Sequence, residues 1–434
     1  MNEYDSNRIY DLASKKGFEK TNNFEETDCY VLNTCHIREK STEKVYSDIG
    51  RLKKNFLNKK KPYVLVTGCV AQAENEVMLK REPYIDAVVG PQSYQELSQI
   101  FSSFEKRKKN NFTDFDVVKK FDTLNKIKNS ISKVSSFVTI QEGCDKFCSF
   151  CVVPYTTGQE FSRNPKDIIR EAKELVKNGV REITLLGQNV NAYNFTENKK
   201  KSRLSDLIFE LDEIRNLKRV RYTTSHPNDM TKDLIDCYKY SKKLMPFLHL
   251  PVQSGSNIIL KKMNRRHTRE EYLDVIQNLM EVNPKMSFSS DFIVGYPEET
   301  SRDFDETISL INEVKFINSY SFIFSPRPGT PAAKMKILNK KIQQKRLIIL
   351  QDLLEKIKNY KNKNEVGKIN EVLVENKMKN QNNYFSRNKS STPVIIEEAS
   401  ETDVGKLVNV KIKKYNRNSL FGTVIRSNKV GEAA

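Results

Sequence analysis

CDKFCSFC, residues 144–151, carries Cys144, Cys148 and Cys151 at C-x3-C-x2-C spacing, directly after the apolar, strand-like run SFVTIQEG. Three thiolates on one short loop can hold three irons of a cubane iron–sulfur cluster and leave the fourth iron without a protein ligand. An open coordination position suits chemistry rather than scaffolding. A structural zinc site would want a fourth Cys or His nearby, and the next His along the chain is His226. Buried thiols packed as small hydrophobes are the competing reading. Asp145, Lys146 and Ser149, interleaved among the cysteines, oppose it, and short Cys clusters in reducing compartments usually bind metal or catalyse.

Outward from this loop, residues 134–335 repeat strand, loop and helix about six times. The strands read SFVTIQ, REITLLGQ, RVRYTTSHP, FLHLPVQSG, SFSSDFIVGYP and SYSFIFSPRPGT. Between them lie helical patterns such as NPKDIIREAKELVKNG, with Ile168, Ala172, Leu175 and Val176 at helical spacing and Asn164-Pro165 at the start. Another helix opens with Thr268 and Glu271 in capping-box spacing. Alternating βα units predict a parallel sheet with helices outside. Six units are too few for an eight-fold barrel, so the expectation is an open, partial (β/α)6 barrel.

Residues 1–104 read as a small open parallel α/β domain, with short β-branched runs DCYVLNTC, PYVLVTGC and YIDAVVGPQ. Two of these end in a thiol, Cys35 and Cys69. Ligands gather beyond the carboxyl ends of parallel strands, so both face one crevice in this reading. Residues 105–133 are polar and without sustained periodicity, and are expected to be a basic linker. The central domain extends to 363 through a basic helix whose Leu347, Leu350, Leu354 and Ile357 share one face, a pattern of core packing. Residues 366–430 alternate short strands with Asn, Ser and Gly and predict a small all-β barrel. The fold class is therefore α/β with a terminal all-β barrel.

The chain has 434 residues, 38% of them hydrophobic, enough for several cores. No run of about 18 apolar residues occurs and the first residues, MNEYDSNRIYD, are polar, so no membrane association and a cytoplasmic location are expected. Seven cysteines, without a secretion signal, argue for reduced thiols or metal ligands over a disulfide framework. The net charge of +19 is uneven: residues 1–104 balance, whereas residues 337–434 carry twice as many basic as acidic side chains. Local basic excess reads as a polyanion-binding surface, nucleic acid first, although a Lys- and Asn-rich composition alone can produce solvated basic faces.

CDKFCSFC after the first strand of a partial barrel resembles the radical S-adenosylmethionine enzymes. MNEYDSNR, LNTCHIREKSTEKV, TGCVAQAE, CVVPYTTGQEFSR, LLGQNVNAY, TTSHP, LHLPVQSGS, SSDFIVGYPEET and FSPRPGTPAA, in this order and spacing, together resemble the methylthiotransferases, most closely the MiaB type. The terminal barrel looks like a TRAM domain. The resemblance spans essentially the whole chain. It implies insertion of a methylthio group into isopentenyl-adenosine beside the tRNA anticodon, with two [4Fe-4S] clusters and S-adenosylmethionine as cofactors. The implied partners are a tRNA anticodon stem-loop and an electron donor protein, and a monomer is expected.

The resemblance implies that Cys144, Cys148 and Cys151 ligate the radical-generating cluster, and that Cys35 and Cys69 are two of three ligands of an auxiliary cluster that supplies sulfur. Gln188 and Asn189, at the end of the second strand, stand where such enzymes bind the amino group of the cofactor. Arg163, Gln253, Ser290 and Asp291 lie at other strand or loop ends, as cofactor contacts or as structural polar groups. Tyr384, Phe385, Arg387 and Lys389 are candidate RNA contacts, with core packing as the alternative for the aromatics.

Three departures from the family pattern stand out. The third auxiliary cysteine of the family lies on a strand just ahead of MNEYDS, and the sequence opens at that Met, so a missing first strand and an incomplete auxiliary site are expected; Cys29 and Cys237 read as core thiols. Thr157 stands where the family commonly has Arg. Ser386 stands where the barrel commonly has Gly, and it would strain a turn that needed positive φ. Two further readings stay open: methylthiolation of threonylcarbamoyl-adenosine or of a ribosomal-protein aspartate, and an RNA-binding protein impaired in sulfur insertion.

Overall fold

The computed structural model describes residues 2–34, 39–106, 109–114, 119–121 and 133–426. In the N-terminal domain β1 (Cys29–Thr34), β2 (Tyr63–Gly68), β3 (Ala87–Val89) and β4 (Asn110–Phe112) form one parallel sheet in that order. Every residue of β2 and β3 is buried, as in a parallel sheet covered on both faces. Ile9, Leu12, Leu97 and Ile100, from helices Asn2–Ser14 and Leu97–Ser103, pack with Tyr63, Leu65 and Val89 on one face. Val45, Ile49, Leu52 and Met78, from helices Glu39–Asn55 and Cys69–Arg81, pack with Val64, Val66 and Val88 on the other.

The stretch expected to be linker is partly structured. Its NNF segment is β4, an edge strand paired with β3, and its polarity hid it because only one side of an edge strand needs a partner. Further along, Lys120 is buried with its Nζ 2.6 Å from Glu142, and Phe121 stacks on Phe161 at 5.9 Å. Lys120 also lies over the Tyr94 ring of the N-terminal domain at 4.8 Å and so bridges the first two domains.

The central domain starts with β5 (Ser135–Thr139), followed by a short hairpin pair, β6 (Gln141–Glu142) and β7 (Phe161–Ser162). Helix Pro165–Lys177 leads to β8 (Glu182–Leu186), and the hairpin β9 (Asn194–Glu197) and β10 (Lys200–Arg203) precedes helix Leu204–Asp212 and β11 (Arg219–Tyr222). β12 (Phe247–His249), β13 (Ser287–Ser289), β14 (Asp291–Val294) and β15 (Tyr320–Ile323) complete the series. β5, β8 and β11 pair in parallel, as do β12 with β13 and β14 with β15. Parallel bridges Val220–Leu244 and Gln253–Phe292 join these groups into an arc of six parallel segments in chain order. Among the described residues no pairing closes β15 onto β5, so the arc is open. Helix Lys340–Glu365 buries Leu350 and packs Leu347, Leu354 and Ile357 on the same core, as its apolar stripe predicted.

β16 (Ile369–Lys377), β17 (Tyr384–Asn388), β18 (Pro393–Ile396), β19 (Leu407–Tyr415) and β20 (Leu420–Val424) close into a barrel in the order 16-17-18-20-19. Arg219, fully buried, donates from Nη1 to the Arg387 carbonyl at 2.7 Å and from Nη2 to that of Glu371 at 3.1 Å. Arg221 donates to the carbonyls of Lys389 and Asn388 at 2.9 and 3.0 Å, and to Glu182 at 3.0 Å. Ser287 and Ser390 hydroxyls lie 3.1 Å apart. Arg219, Glu182 and Ser287 each open a central strand. The barrel therefore docks at the amino-terminal end of the parallel arc, opposite the end from which the cysteine loop leaves β5.

Candidate metal centre

The loop that carries the cysteines is shaped from both sides. Gly143 adopts φ +77, and a Cβ there would stand 1.8 Å from the Gln159 carbonyl oxygen, so only glycine fits the turn. Past it, Cys144 N donates to the Gly158 carbonyl at 3.2 Å and Ser149 N to that of Met263 at 3.0 Å. The Ser149 hydroxyl lies 2.8 Å from the Lys262 carbonyl and 2.8 Å from the Tyr296 hydroxyl. Lys146 pairs with Asp229 at 2.7 Å. The three thiols thus sit on a loop tied at separate points to the segments after the third, fourth and fifth strands of the arc.

Cys148 is buried, and Arg265 donates from Nη1 to its sulfur at 3.4 Å while Nη2 donates to the Pro251 carbonyl. Burial pushes the Cys144 thiol up to about 12, against a hydrogen bond from the Lys146 backbone N–H. It pushes Cys151 up to about 11, against a backbone hydrogen bond from Val153 and the positive charges of Arg265 and Arg327. These are dry thiols with N–H donors already turned toward them, the setting in which ligation by a cationic centre displaces the protons. Among the described residues no three His, Cys, Asp or Glu side chains stand close enough to share one metal ion. Three thiols on one loop, with no fourth Cys or His beside them in the sequence, are the donor set of a cubane that leaves one iron open.

The residues expected around the mouth divide. Gln188 Oε1 accepts from Gly143 N at 3.0 Å, and Asn189 N donates to Gln141 Oε1 at 3.0 Å, so both lie against the root of the loop. The Asn189 side-chain amide donates to Glu160 at 3.1 Å and Asp229 at 2.7 Å, while its buried Oδ1 has no protein partner. Burial raises the Glu160 carboxyl. Gln253 takes φ +78 at the bridge to Phe292, an unusual conformation for a non-glycine residue. Asp291 lies 3.5 Å from His249 Nε2. Ser290 is fully buried, its hydroxyl accepting from Val252 N at 2.9 Å, a structural bond.

Arg163 goes elsewhere. It is buried with Glu171 at 2.7 Å and donates to the Thr139 carbonyl at 3.0 Å; Arg8 and Tyr4 of the first helix bond to the same Glu171. Its place is the seam between the first two domains, not the mouth. Sequence reasoning missed Arg265, Glu160 and Asp229, which no spacing rule marks because they converge from three separate loops.

Cys69 opens its helix directly after Gly68, the register partner of Thr34 on β1. Cys35 lies outside the described residues, but it follows Thr34 in the chain. Cys29 packs beside the N-terminal core, its thiol pushed up to about 12 by burial, and Cys237 is fully buried in the central core, as expected of both. Thr157 is buried, and its carbonyl accepts from Gln92 at 3.2 Å.

On the barrel, Tyr384 is core and not a stacking surface. Phe385 lies under the Arg387 guanidinium at 5.1 Å; Arg387 pairs with Glu375 and Lys389 with Glu371. Ser386 is an ordinary buried strand residue without positive φ, its hydroxyl donating to the Val394 carbonyl at 2.6 Å, so the expected strain does not arise.

The sequence matches the Radical SAM superfamily over residues 138–311, the TRAM domain over 363–425, and the family described as Uncharacterized protein family UPF0004 over 1–90. A tRNA-2-methylthio-N(6)-dimethylallyladenosine synthase from Pelagibacter ubique (strain HTCC1062) is 60% identical over 430 residues, covering 99% of this chain and 96% of the relative. The chain belongs to the MiaB-type methylthiotransferases. A synthase of the same description from Rickettsia akari (strain Hartford) is 48% identical, covering 98% of this chain and 97% of that one. Among solved structures, the radical S-adenosylmethionine methyltransferase TsrM from Kitasatospora setae, with cobalamin and a [4Fe-4S] cluster bound, aligns with a TM-score of 0.55 at 12% identity, over 76% of this chain and 74% of that one, a likeness of fold. [4Fe-4S] clusters and S-adenosylmethionine are the cofactors of this family.

Proposed function

We propose that this protein converts N6-isopentenyladenosine next to the tRNA anticodon to its 2-methylthio derivative. The observation that carries the reading is the Cys144–Cys148–Cys151 loop, with Cys148 buried and the other two thiols half-buried, at the carboxyl end of the first strand of an open parallel arc, in a chain of this family. A [4Fe-4S] cluster held there would supply the one-electron reduction by which a carbon–sulfur bond of S-adenosylmethionine is cleaved.

The remaining work falls to side chains. Cys144, Cys148 and Cys151 hold three irons; Gly143, Gln188 and Gln141 fix the root of the loop; Ser149 and Tyr296 fix its far side. Arg265 donates to the Cys148 sulfur and offsets negative charge gathered there. Asn189, with an unpartnered Oδ1, stands with Glu160 and Asp229 as the polar group that accepts from the cofactor amine. Gln253 and Asp291 are the corresponding candidates on the later strands. Cys35 and Cys69 would supply two of the three ligands of the auxiliary cluster. The tRNA enters as its anticodon stem-loop, an electron donor protein reduces the centre, and the enzyme works as a cytoplasmic monomer. Mass spectrometry of tRNA nucleosides from cells lacking and then expressing this chain tests the reading. Loss and return of 2-methylthio-isopentenyladenosine is expected, and an unchanged nucleoside profile overturns it.

A further inference from the structure

Two aromatic rings stand on the cysteine loop and the helix that follows it, with no core to receive them. Phe147, immediately before Cys148, is 45% exposed, and Tyr155, in helix Val153–Thr156, is 47% exposed. Their ring centroids are 6.0 Å apart at 81°. Among the described residues this is the one ring pair whose two members are both exposed. A single exposed aromatic needs no explanation, but this pair is held in place. Phe147 sits at φ +49, a left-handed conformation that a bulky side chain adopts only under constraint, and Asn264 Nδ2 fastens its carbonyl at 2.9 Å. The backbone is strained in the direction that turns a phenyl ring outward beside the metal loop.

The surroundings say what those faces meet. Exposed Arg266 lies two residues from Asn264, and Arg327 acts electrostatically on Cys151 in the same loop. Exposed π faces, with an exposed arginine on the segment that anchors Phe147, suit a nucleobase attached to a phosphate chain. The barrel offers no alternative at this end: Tyr384 is core, Phe385 lies under Arg387, and the barrel docks at the opposite pole of the arc.

We infer that Phe147 and Tyr155 form a stacking platform that receives one base of an unpaired RNA loop and thereby sets the target nucleotide over the metal centre. This rests on the tRNA reading above. Unpaired loops are where proteins read RNA, by splaying bases onto aromatic side chains.

The test uses the full holoenzyme and a synthetic anticodon stem-loop with 2-aminopurine beside the target adenosine. Phe147→Leu and Tyr155→Leu should each weaken RNA binding about tenfold or more, by the usual worth of one base–aromatic stack, and should lose the 2-aminopurine quenching. Iron and sulfide content serve as the folding control. The chain has no tryptophan, so Phe147→Trp gives a lone reporter that should bind RNA like the wild type and show quenched emission when it does. Leucine variants with full iron content and unaltered RNA affinity would overturn the platform. Unaltered RNA affinity with slowed reduction by a protein donor would overturn it too, and mark the pair as a donor-docking site. A wild type that binds the loop through these rings yet forms no methylthio product would sink the function proposed above and leave the platform standing.

Discussion

Arg219→Met removes the pin between the terminal barrel and the central domain while filling about the same space. The guanidinium is wholly buried, and desolvation pulls it down to about 10 in spite of Glu182 and Glu371. Its two bonds, to the carbonyls of Arg387 and Glu371, hold two barrel strands, β17 and β16. Methionine leaves both carbonyls without this donor inside the seam, at roughly 1–3 kcal/mol each. Glu182 keeps Arg221 at 3.0 Å but loses the second cation at 4.0 Å. The expected loss is about 3–5 kcal/mol, the range for breaking a buried charged group away from its partners. Native-state hydrogen exchange on the full chain reads it locally: amides of β16 and β17 should lose about two to four orders of magnitude of protection, while β8 and β11 lose less. Limited proteolysis should open the Val366–Lys368 connection. Equal protection in β16 and β17 of the variant and the wild type would refute the claim that these two bonds dock the barrel.

Further outcomes follow from other residues. Cys148→Ala should abolish formation of 5'-deoxyadenosine under reducing conditions and remove one cluster's worth of iron, read by product analysis and iron assay. Gly143→Ala, whose Cβ would meet the Gln159 carbonyl at 1.8 Å, should lose that same cluster without touching a ligand; normal iron content would show that the loop can shift. Asp5 is buried and its carboxyl is raised to about 6, desolvation outweighing Lys120. The folded state thus holds the Asp5 proton more tightly than the unfolded one, and stability falls as pH rises from about 4 to 6. Asp5→Asn should raise the melting temperature above pH 6, with the gain shrinking toward pH 4; a gain independent of pH would refute the assignment. Replacing the exposed Lys411 and Lys413 by Gln should reduce the salt dependence of tRNA binding by roughly one to two in the log–log slope, measured by titration at several salt concentrations.

The sequence alone determined the order of elements. Alternating βα units and short β-branched runs near the end predicted a parallel arc and a small barrel, because these follow from local periodicity. It also brought out the three thiols proposed as cluster ligands, since thiols within eight residues must share a loop. What it left open were the relations between distant segments. β4 escaped notice because an edge strand shows no apolar run. Arg163, at a loop end, could be read as a cofactor contact or a structural group, and the first helix, bonding Tyr4 and Arg8 to its partner Glu171, drew it into the domain seam. Tyr384 could be read as a stacking ring or as core, and barrel closure put it inside. Arg265 came to Cys148 across 117 residues, and no local pattern encodes that approach. Burial and charge pairing at such points are properties of the packed chain, and only the tertiary structure decides them.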